Sequence, residues 1–466
     1  MSKFSRQSLL MVAIAIAGFI LSLLAFWPGF MEYDSFDQYG QVIGILPLKD
    51  WHPASMTLLW RALITIYNGP QPMLVLQSLL YWSGFLYLAL WLWRDTSKFT
   101  LALTAVLVPF LPFLINFTGV IWKDTHLAVV LFWAALLLVF GKTSWSKLLI
   151  SLLFIFYGLS VRHNGIAAAL PLLILWSYRY CRFTDSNSTY GVFLVTSIML
   201  LMYLVLNSDL NSFFSVKKTY PIKSQRLNEI VFIKCHSDSE NFSILEKYYG
   251  KRLTHMKPQR RRKYLCDKVS SLAGTDDTNK IYDQGILNNK IFHQLNDEPD
   301  SKDTQILELW IQSVRSHPWL YLDYRFRVYK TFLRPFSYSE PYYVFLDGMD
   351  ENPLPIKLPF KVPNPLGLSN LLEHYVDFFA TSKYLQLPFR PFFWLIALMV
   401  TTWLSLHKRQ WSVCLIAVSG LLYLILYFPV LPAPDFRYCY YSIFAQMLSI
   451  YIALDRRYRG LTSPRE

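Results

Sequence analysis

The chain has 466 residues, of which 53% are hydrophobic, 17% aromatic and only 16% charged. A soluble domain carries about 25% charged residues, so this composition excludes an ordinary soluble enzyme and predicts a polytopic membrane protein. The formal net charge of +14 comes with no RNA- or DNA-binding motif; in a membrane protein, basic residues hold loops on the cytoplasmic side and touch anionic lipids.

The first element follows Lys3 and Arg6 and begins "SLLMVAIAIAGFILSLLAFW". At about 20 residues it exceeds the roughly 7–15-residue apolar core of a signal peptide, and no small-residue cleavage site follows. It reads as a retained first span. A helix needs roughly 20 apolar residues to cross the bilayer. Ten stretches are candidates: 8–27, 72–93, 99–117, 125–140, 148–161, 164–178, 190–207, 391–407, 411–430 and 438–454. The fifth and sixth are short, so their ends must lean on neighbouring protein. None of the ten contains Asp, Glu, Lys or Arg. The connections "RDTSK" (94–98), "GKTSWSK" (141–147), "RYCR" (179–182), "HKRQ" (407–410) and "DRRYR" (455–459) each carry at least two Lys or Arg. All are inner connections if the N-terminus is inside, so the charge bias predicts ten spans with both termini in the cytoplasm.

This divides the chain into an N-terminal membrane module (1–207), a long outer connection (208–390) and a C-terminal membrane module (391–466). Long connections escape the charge rule, so "PQRRRK" at 258–263 does not oppose an outer location. Residues 304–333 place Ile306, Leu309, Trp310, Ser313 and Val314 along one side of a helix lying on the membrane, turned at Pro318. Residues 334–367, rich in Pro and Tyr, read as an ordered loop, and 368–385 as a second surface helix. In the first outer loop (28–71), "SMTLLWRALITIYN" (55–68) is apolar but interrupted by Arg61 and reads as an interfacial helix. An eleventh span there would invert every later loop. Cys235 and Cys266 share the long polar segment, and a disulfide can join them if it lies outside the cytoplasm. Cys414 and Cys439 lie in or beside apolar runs and read as packed thiols.

Four polar clusters stand out on this topology. "FMEYDSFDQYGQ" (30–41) places Glu32, Asp34 and Asp37 just past the first span, and "KDWHP" follows with Asp50, His52 and Pro53. "GVIWKDTH" (119–126) holds Lys123, Asp124 and His126; "VRHNG" (161–165) holds Arg162, His163 and Asn164; "PAPDFRY" (432–438) holds Asp435, Arg437 and Tyr438. Taken singly, each fits a solvated loop, a helix cap or a headgroup contact. Together on one outer face they predict a shared cleft. If 34–37 is helical, Asp34 and Asp37 share a face at i, i+3.

Arginine binds phosphate bidentately and lysine supplies a point charge. Aspartate serves as a general base or ligates a hard divalent metal. At a membrane surface this combination points to a lipid-phosphate substrate. The fitting reaction is sugar transfer from a polyprenyl-phosphate donor: a carboxylate deprotonates the acceptor hydroxyl while cations stabilise the leaving phosphate. No Rossmann domain is visible to bind a nucleotide sugar. A transporter or flippase would bury ionisable residues at mid-membrane depth and often carries repeats; the spans have neither. A lipid-linked polysaccharide ligase or polymerase is the neighbouring enzyme alternative, and would make Asp34 dispensable while Arg162, His163 and Arg437 stay essential. A non-catalytic scaffold would leave the polar clusters without a role.

The motifs "PGFMEYDSFDQY", "DWHPASMTLLW", "GVIWKD", "VRHNG" and "DFRY" run in order through the membrane part, with "SHPWLYLDYRFR" from the long connection. In this the chain resembles the polytopic lipid-phosphate-sugar-dependent glycosyltransferases of the GT-C superfamily, nearest the bacterial members akin to glycosyltransferase family 39. The resemblance implies an all-α polytopic fold in the bacterial inner membrane, with the active site on its outer face and a glycan or lipid as acceptor. It implies Asp34 as the catalytic base, with Asp37 as the alternate. Asp124 matches the second acidic position, which helps hold substrate or metal. Arg162 and Arg437 match the donor-phosphate positions, with Lys123 and His163 beside them, and His52 and Tyr438 complete the substrate-facing set. A divalent metal, Mg or Mn, held by Asp34 and Asp124 belongs to the same expectation. The chain departs from the pattern in having Lys-Asp where many members have a paired acidic or Arg-acidic motif. Serotype-type glucosyltransferases that decorate O-antigen are similar in size and span count. Glu32 reads as loop charge.

Overall fold

The structure is a computed structural model. It describes residues 6–237 apart from Pro53, Ser97, His163, Asn187 and Pro221, a few residues between 256 and 267, then 305–335, and 367–455 apart from Ala433. The chain is all-helical: among the described residues the only extended pairings are isolated bridges, Phe30 with Val120 and Lys49 with Lys217. In chain order the N-terminal helices are α1 (Arg6–Phe26), α2 (Tyr33–Val42), α3 (Ala54–Leu63), α4 (Gln71–Thr96), α5 (Phe99–Leu107), α6 (Pro112–Ile115), α7 (Lys123–Val139), α8 (Trp145–Ser160), α9 (Gly165–Phe183) and α10 (Thr189–Phe213). Then come α11 (Ile222–His236), α12 (Gln305–Ser316), α13 (Pro318–Leu333), α14 (Leu368–Thr381), α15 (Pro391–His407), α16 (Trp411–Ile425) and α17 (Tyr440–Leu454).

Each of the ten apolar stretches folds as helix. Among the described residues three helices, α1, α4 and α10, are long and apolar enough to cross a membrane. The third stretch is broken: α5 passes through a 3-10 turn at Val108–Phe110 into the single turn of α6. Pro109 and Pro112 account for the break, because proline has no N–H and its ring clashes with the preceding turn. The expected loop over 334–367 falls almost wholly outside the described residues.

Helices α7 and α17 pack on each other at the centre of the bundle, with α4, α8, α9 and α16 around them. Most residues of both central helices are buried. Several polar groups inside find protein partners, which offsets the cost of burying them: the Tyr81 hydroxyl donates to the Pro109 carbonyl at 2.5 Å, Tyr440 to the Leu114 carbonyl, and Trp82 Nε1 to Ser22 Oγ at 2.9 Å. Helix α10 is the opposite case. It buries only Thr196 and exposes Phe193, Leu194, Leu201 and Leu204, an apolar face that calls for an apolar surrounding.

The described part of the long connection forms a small helical unit. Glu229 of α11 is buried with Arg325 of α13 as an ion pair and also accepts from Trp310 Nε1 of α12. Arg325 Nη1 reaches on to the Leu431 carbonyl at 3.3 Å, tying the unit to the connection between α16 and α17. Ile306 and Ser313 are buried on the side of α12 that the apolar spacing picks out, and the chain turns at His317–Pro318. Cys235 and Cys266 are bridged by a disulfide, with Cα atoms 5.5 Å apart. Arg61, which interrupts the apolar run of α3, donates to the carbonyls of Gln41 at 2.7 Å and Val42 at 3.3 Å. These are the last carbonyls of α2, where a cation satisfies orphan acceptors and offsets the helix dipole.

Candidate functional site

Four connections meet at one end of the bundle: those after α1, before α7, between α8 and α9, and between α16 and α17. The first two are stitched together by backbone. Phe30 N donates to the Gly119 carbonyl at 3.0 Å, and Ile121 N returns to the Phe30 carbonyl at 3.0 Å. Ser35 Oγ donates to the Ile121 carbonyl at 2.8 Å. From α4, the Gln77 amide donates to the carbonyls of Thr118 at 2.7 Å and Val120 at 3.0 Å. Gly119 makes this approach possible, since a Cβ there would lie 1.8 Å from a ring carbon of Phe26. The stitching holds the first turn of α7, with Lys123 and Asp124, against the first turn of α2, with Asp34.

Asp34 lies among cations. Its Oδ2 is 3.4 Å from Arg437 Nη1 and 3.8 Å from Lys123 Nζ. Its Oδ1 is 3.8 Å from His52 Nε2. The same imidazole nitrogen is 3.6 Å from Asp37 Oδ2, so Asp34 and Asp37 do share a helix face, and Asp37 also accepts from Gln41 Nε2 at 2.7 Å. Lys123 Nζ approaches His52 Nδ1 at 3.2 Å. An ammonium can only donate, so Nδ1 is the acceptor and the neutral ring carries its proton on Nε2, facing the two carboxylates.

Arg437 is held on several sides. Its guanidinium stacks over Trp122 at 4.8 Å and Tyr438 at 5.3 Å. Its Nε is 2.8 Å from Asp435 Oδ2, and its Nη1 donates to Glu32. Arg162 forms the second centre. It is ion-paired with buried Asp124, donates from Nε to Asn164 Oδ1 at 2.9 Å, and lies over Tyr438 at 4.8 Å and Tyr427 at 5.7 Å. Tyr438 touches both arginines and joins the two centres.

Burial and charge set the protonation states. Burial pushes the Glu32 carboxyl up, and with Asp34 and Asp435 beside it the pKa reaches about 8 despite the opposing pull of Arg437. At Asp34 burial also pushes upward, but Lys123, His52, Arg437 and Arg162 together win and hold it well below the ordinary carboxylate range. Burial, then Lys123, pull the His52 imidazole down to about 3, which keeps it neutral. Burial raises Asp435, with Arg437 opposing.

The structure therefore gathers Asp34, Asp37, His52, Lys123, Asp124, Arg162, Arg437 and Tyr438 into one contiguous cluster, although Asp34 and Arg437 are 403 positions apart. His163 lies outside the described residues. Glu32, expected to be loop charge, is instead a partner of Arg437: its extended backbone just before α2 turns the carboxylate into the cluster rather than to solvent. Asp435, named with its cluster but given no role, belongs here too, as do Trp122 and Tyr427, which were not singled out. Asp435 and Trp122 sit inside quoted motifs, but Tyr427 lies in an apolar run and leaves no signal of its own. The metal expected on Asp34 and Asp124 does not fit this arrangement. Asp34 faces three basic side chains, Asp124 is taken by Arg162, and no three His, Cys, Asp or Glu among the described residues are placed to hold a metal ion.

No protein-family model, curated protein or solved structure matches the chain.

Proposed function

We propose that this chain is a membrane glycosyltransferase that moves a sugar from a polyprenyl-phosphate donor to an extracytoplasmic glycan or lipid acceptor, as its resemblance to the GT-C enzymes implies. In this reading the ten apolar helical stretches are ten spans, both termini are cytoplasmic, and the cluster opens on the outer face of a bacterial inner membrane. The observation that carries the reading is the meeting of Asp34 with Lys123 and Arg437, brought from three distant parts of the chain to within 3.8 Å. The Cys235–Cys266 disulfide supports an outer location for the long connection, because such bonds persist in oxidising compartments. Spans free of Asp, Glu, Lys and Arg weigh against a carrier.

In the proposed reaction the acceptor hydroxyl attacks the anomeric carbon as Asp34 takes its proton. The bond from that carbon to the phosphate oxygen breaks, and its electron pair leaves with the polyprenyl phosphate. Lys123 and Arg437 stabilise the departing charge, with Arg162 behind them. A carboxylate held as acidic as Asp34 is a weak base while the cations face it alone. A donor phosphate that draws Lys123 and Arg437 onto itself relieves that attraction and raises the basicity of Asp34, so the base becomes competent when substrate is in place. No step requires a metal.

Arg437→Ala should raise the donor concentration for half-maximal transfer by about 10- to 100-fold, the worth of a hydrogen bond to a charged group at roughly 1.5–3 kcal/mol. Steady-state transfer by detergent-solubilised protein over a donor titration reads this. An unchanged donor dependence would remove Arg437 from the phosphate site.

A further inference from the structure

The connection between α16 and α17 carries Tyr427, Asp435, Arg437 and Tyr438, and the helical unit of the long connection grips it from outside. Three donors of that unit reach its backbone in succession, from the end of α16 onward. Tyr329 Oη donates to the Leu424 carbonyl at 3.2 Å, Gln225 Nε2 to the Pro429 carbonyl at 3.2 Å, and Arg325 Nη1 to the Leu431 carbonyl at 3.3 Å. Rings follow the same line: Tyr329 meets Phe428 edge-on at 5.5 Å, and Phe332 lies 6.2 Å from Tyr427.

Arg325 is the most firmly placed of the three donors. It and Glu229 are each 1% exposed. Glu229 takes Nη2 and also accepts from Trp310 Nε1, so one arm of the guanidinium is fixed while the other reaches Leu431. The planar fork serves both partners at once, whereas a lysine ammonium is a single point charge. A buried ion pair is a weak source of stability, because desolvation offsets the attraction; what this one fixes is where Nη1 points. Leu431 N in turn donates to the Tyr427 carbonyl at 2.7 Å, so holding Leu431 holds the turn that begins at Tyr427. The Tyr427 ring stacks on Tyr438 at 5.0 Å. Arg162 lies over both rings and Arg437 over Tyr438. Contacts therefore run unbroken from the Glu229–Arg325 pair to the two guanidiniums of the cluster.

We infer that Arg325, fixed by Glu229, is a positioning residue for donor binding: through the Leu431 carbonyl it sets the turn at Tyr427, and so the Tyr427–Tyr438 stack against which Arg162 and Arg437 are held. This rests on the proposed phosphate role of those arginines, and it gives the outer helical unit a part in the reaction from behind the site. Without the Leu431 contact the two arginines spend part of their time out of place. Apparent affinity for a phosphate ligand then falls in proportion to the competent fraction. Saturating ligand draws the arginines back, so the loss falls on affinity and not on the rate at saturation.

The test is calorimetric titration of full-length protein in detergent with farnesyl methyl phosphodiester. Arg325→Lys keeps a cation against Glu229 but gives up Leu431, and should weaken binding about 2- to 30-fold, the range of coupling carried through a packed network. In an Arg437→Ala background the same substitution should cost clearly less, because part of what Arg325 positions is already gone. With a polyprenyl-phosphate sugar that wild type consumes, Arg325→Lys should raise the donor KM and keep kcat. Should Arg325→Lys fail to fold, Gln225→Ala combined with Tyr329→Phe leaves the ion pair intact and should shift affinity in the same direction. Unchanged affinity in folded variants, a loss of equal size with and without Arg437, or a fall in kcat at unchanged KM overturns the positioning role. The phosphate site still stands in those cases if Arg437→Ala weakens binding. Folded wild type that does not bind, or Arg437→Ala that binds as wild type does, overturns the phosphate site together with the inference.

Discussion

Asp34→Asn should abolish sugar transfer while leaving the protein inserted and folded. Losing a positioned general base costs about 10²–10⁴ in rate, and the asparagine occupies almost the same volume between His52, Lys123 and Arg437. Donor binding should be kept or slightly strengthened, because one negative charge leaves a crowded cluster. Single-turnover transfer with donor saturating separates the two effects. Asp37→Asn should cost much less, since Asp37 is held by Gln41 and lies 3.6 Å from His52 rather than at the head of the cluster. Full activity in Asp34→Asn would move the base elsewhere and favour a ligase or polymerase in which the arginines carry the chemistry.

Arg162→Ala should produce a large loss of stability. Asp124 is 2% exposed, and its Oδ2 has no hydrogen-bond partner, so its charge is balanced chiefly by Arg162. Removing one member of a buried pair leaves an uncompensated charge and costs about 3–5 kcal/mol. Heat-induced loss of the monodisperse species in detergent measures this. The double variant Arg162→Met with Asp124→Asn should recover most of the stability, because no buried charge remains, yet stay impaired in transfer. Unchanged thermal resistance in Arg162→Ala would mean that water or lipid headgroups already balance Asp124.

How far these features can be read from the chain depends on whether their physics is local. The helical stretches can be read because their signal is composition over a window: α7 past its first turn and most of α17 are apolar. The turn at Pro318 follows from a local rule as well. The third stretch, 99–117, shows the limit, because its mean apolarity hides the break that Pro109 and Pro112 impose. The cluster itself was partly foreseeable, since charged residues at loops of one face have few places to go. Which charge pairs with which was not. The Asp124–Arg162 and Glu32–Arg437 pairs are set by how α2, α7 and the connection after α16 stack. That stacking depends on details such as the absence of a side chain at Gly119 and the grip of Gln77 on two carbonyls. Arg61 illustrates the same point: in the sequence it marks a helix unfit to span, while in the fold it caps the end of the helix that bears Asp34.

The most direct test of the central claim is to incubate purified protein with a panel of polyprenyl-phosphate sugars and a cell-envelope glycan extract as acceptor, following donor consumption and release of free polyprenyl phosphate. Wild type should consume at least one donor, release polyprenyl phosphate in step with sugar transfer, and lose both with Asp34→Asn. Folded wild-type protein that leaves every donor intact, or that releases polyprenyl phosphate equally well with Asp34→Asn, would contradict the account.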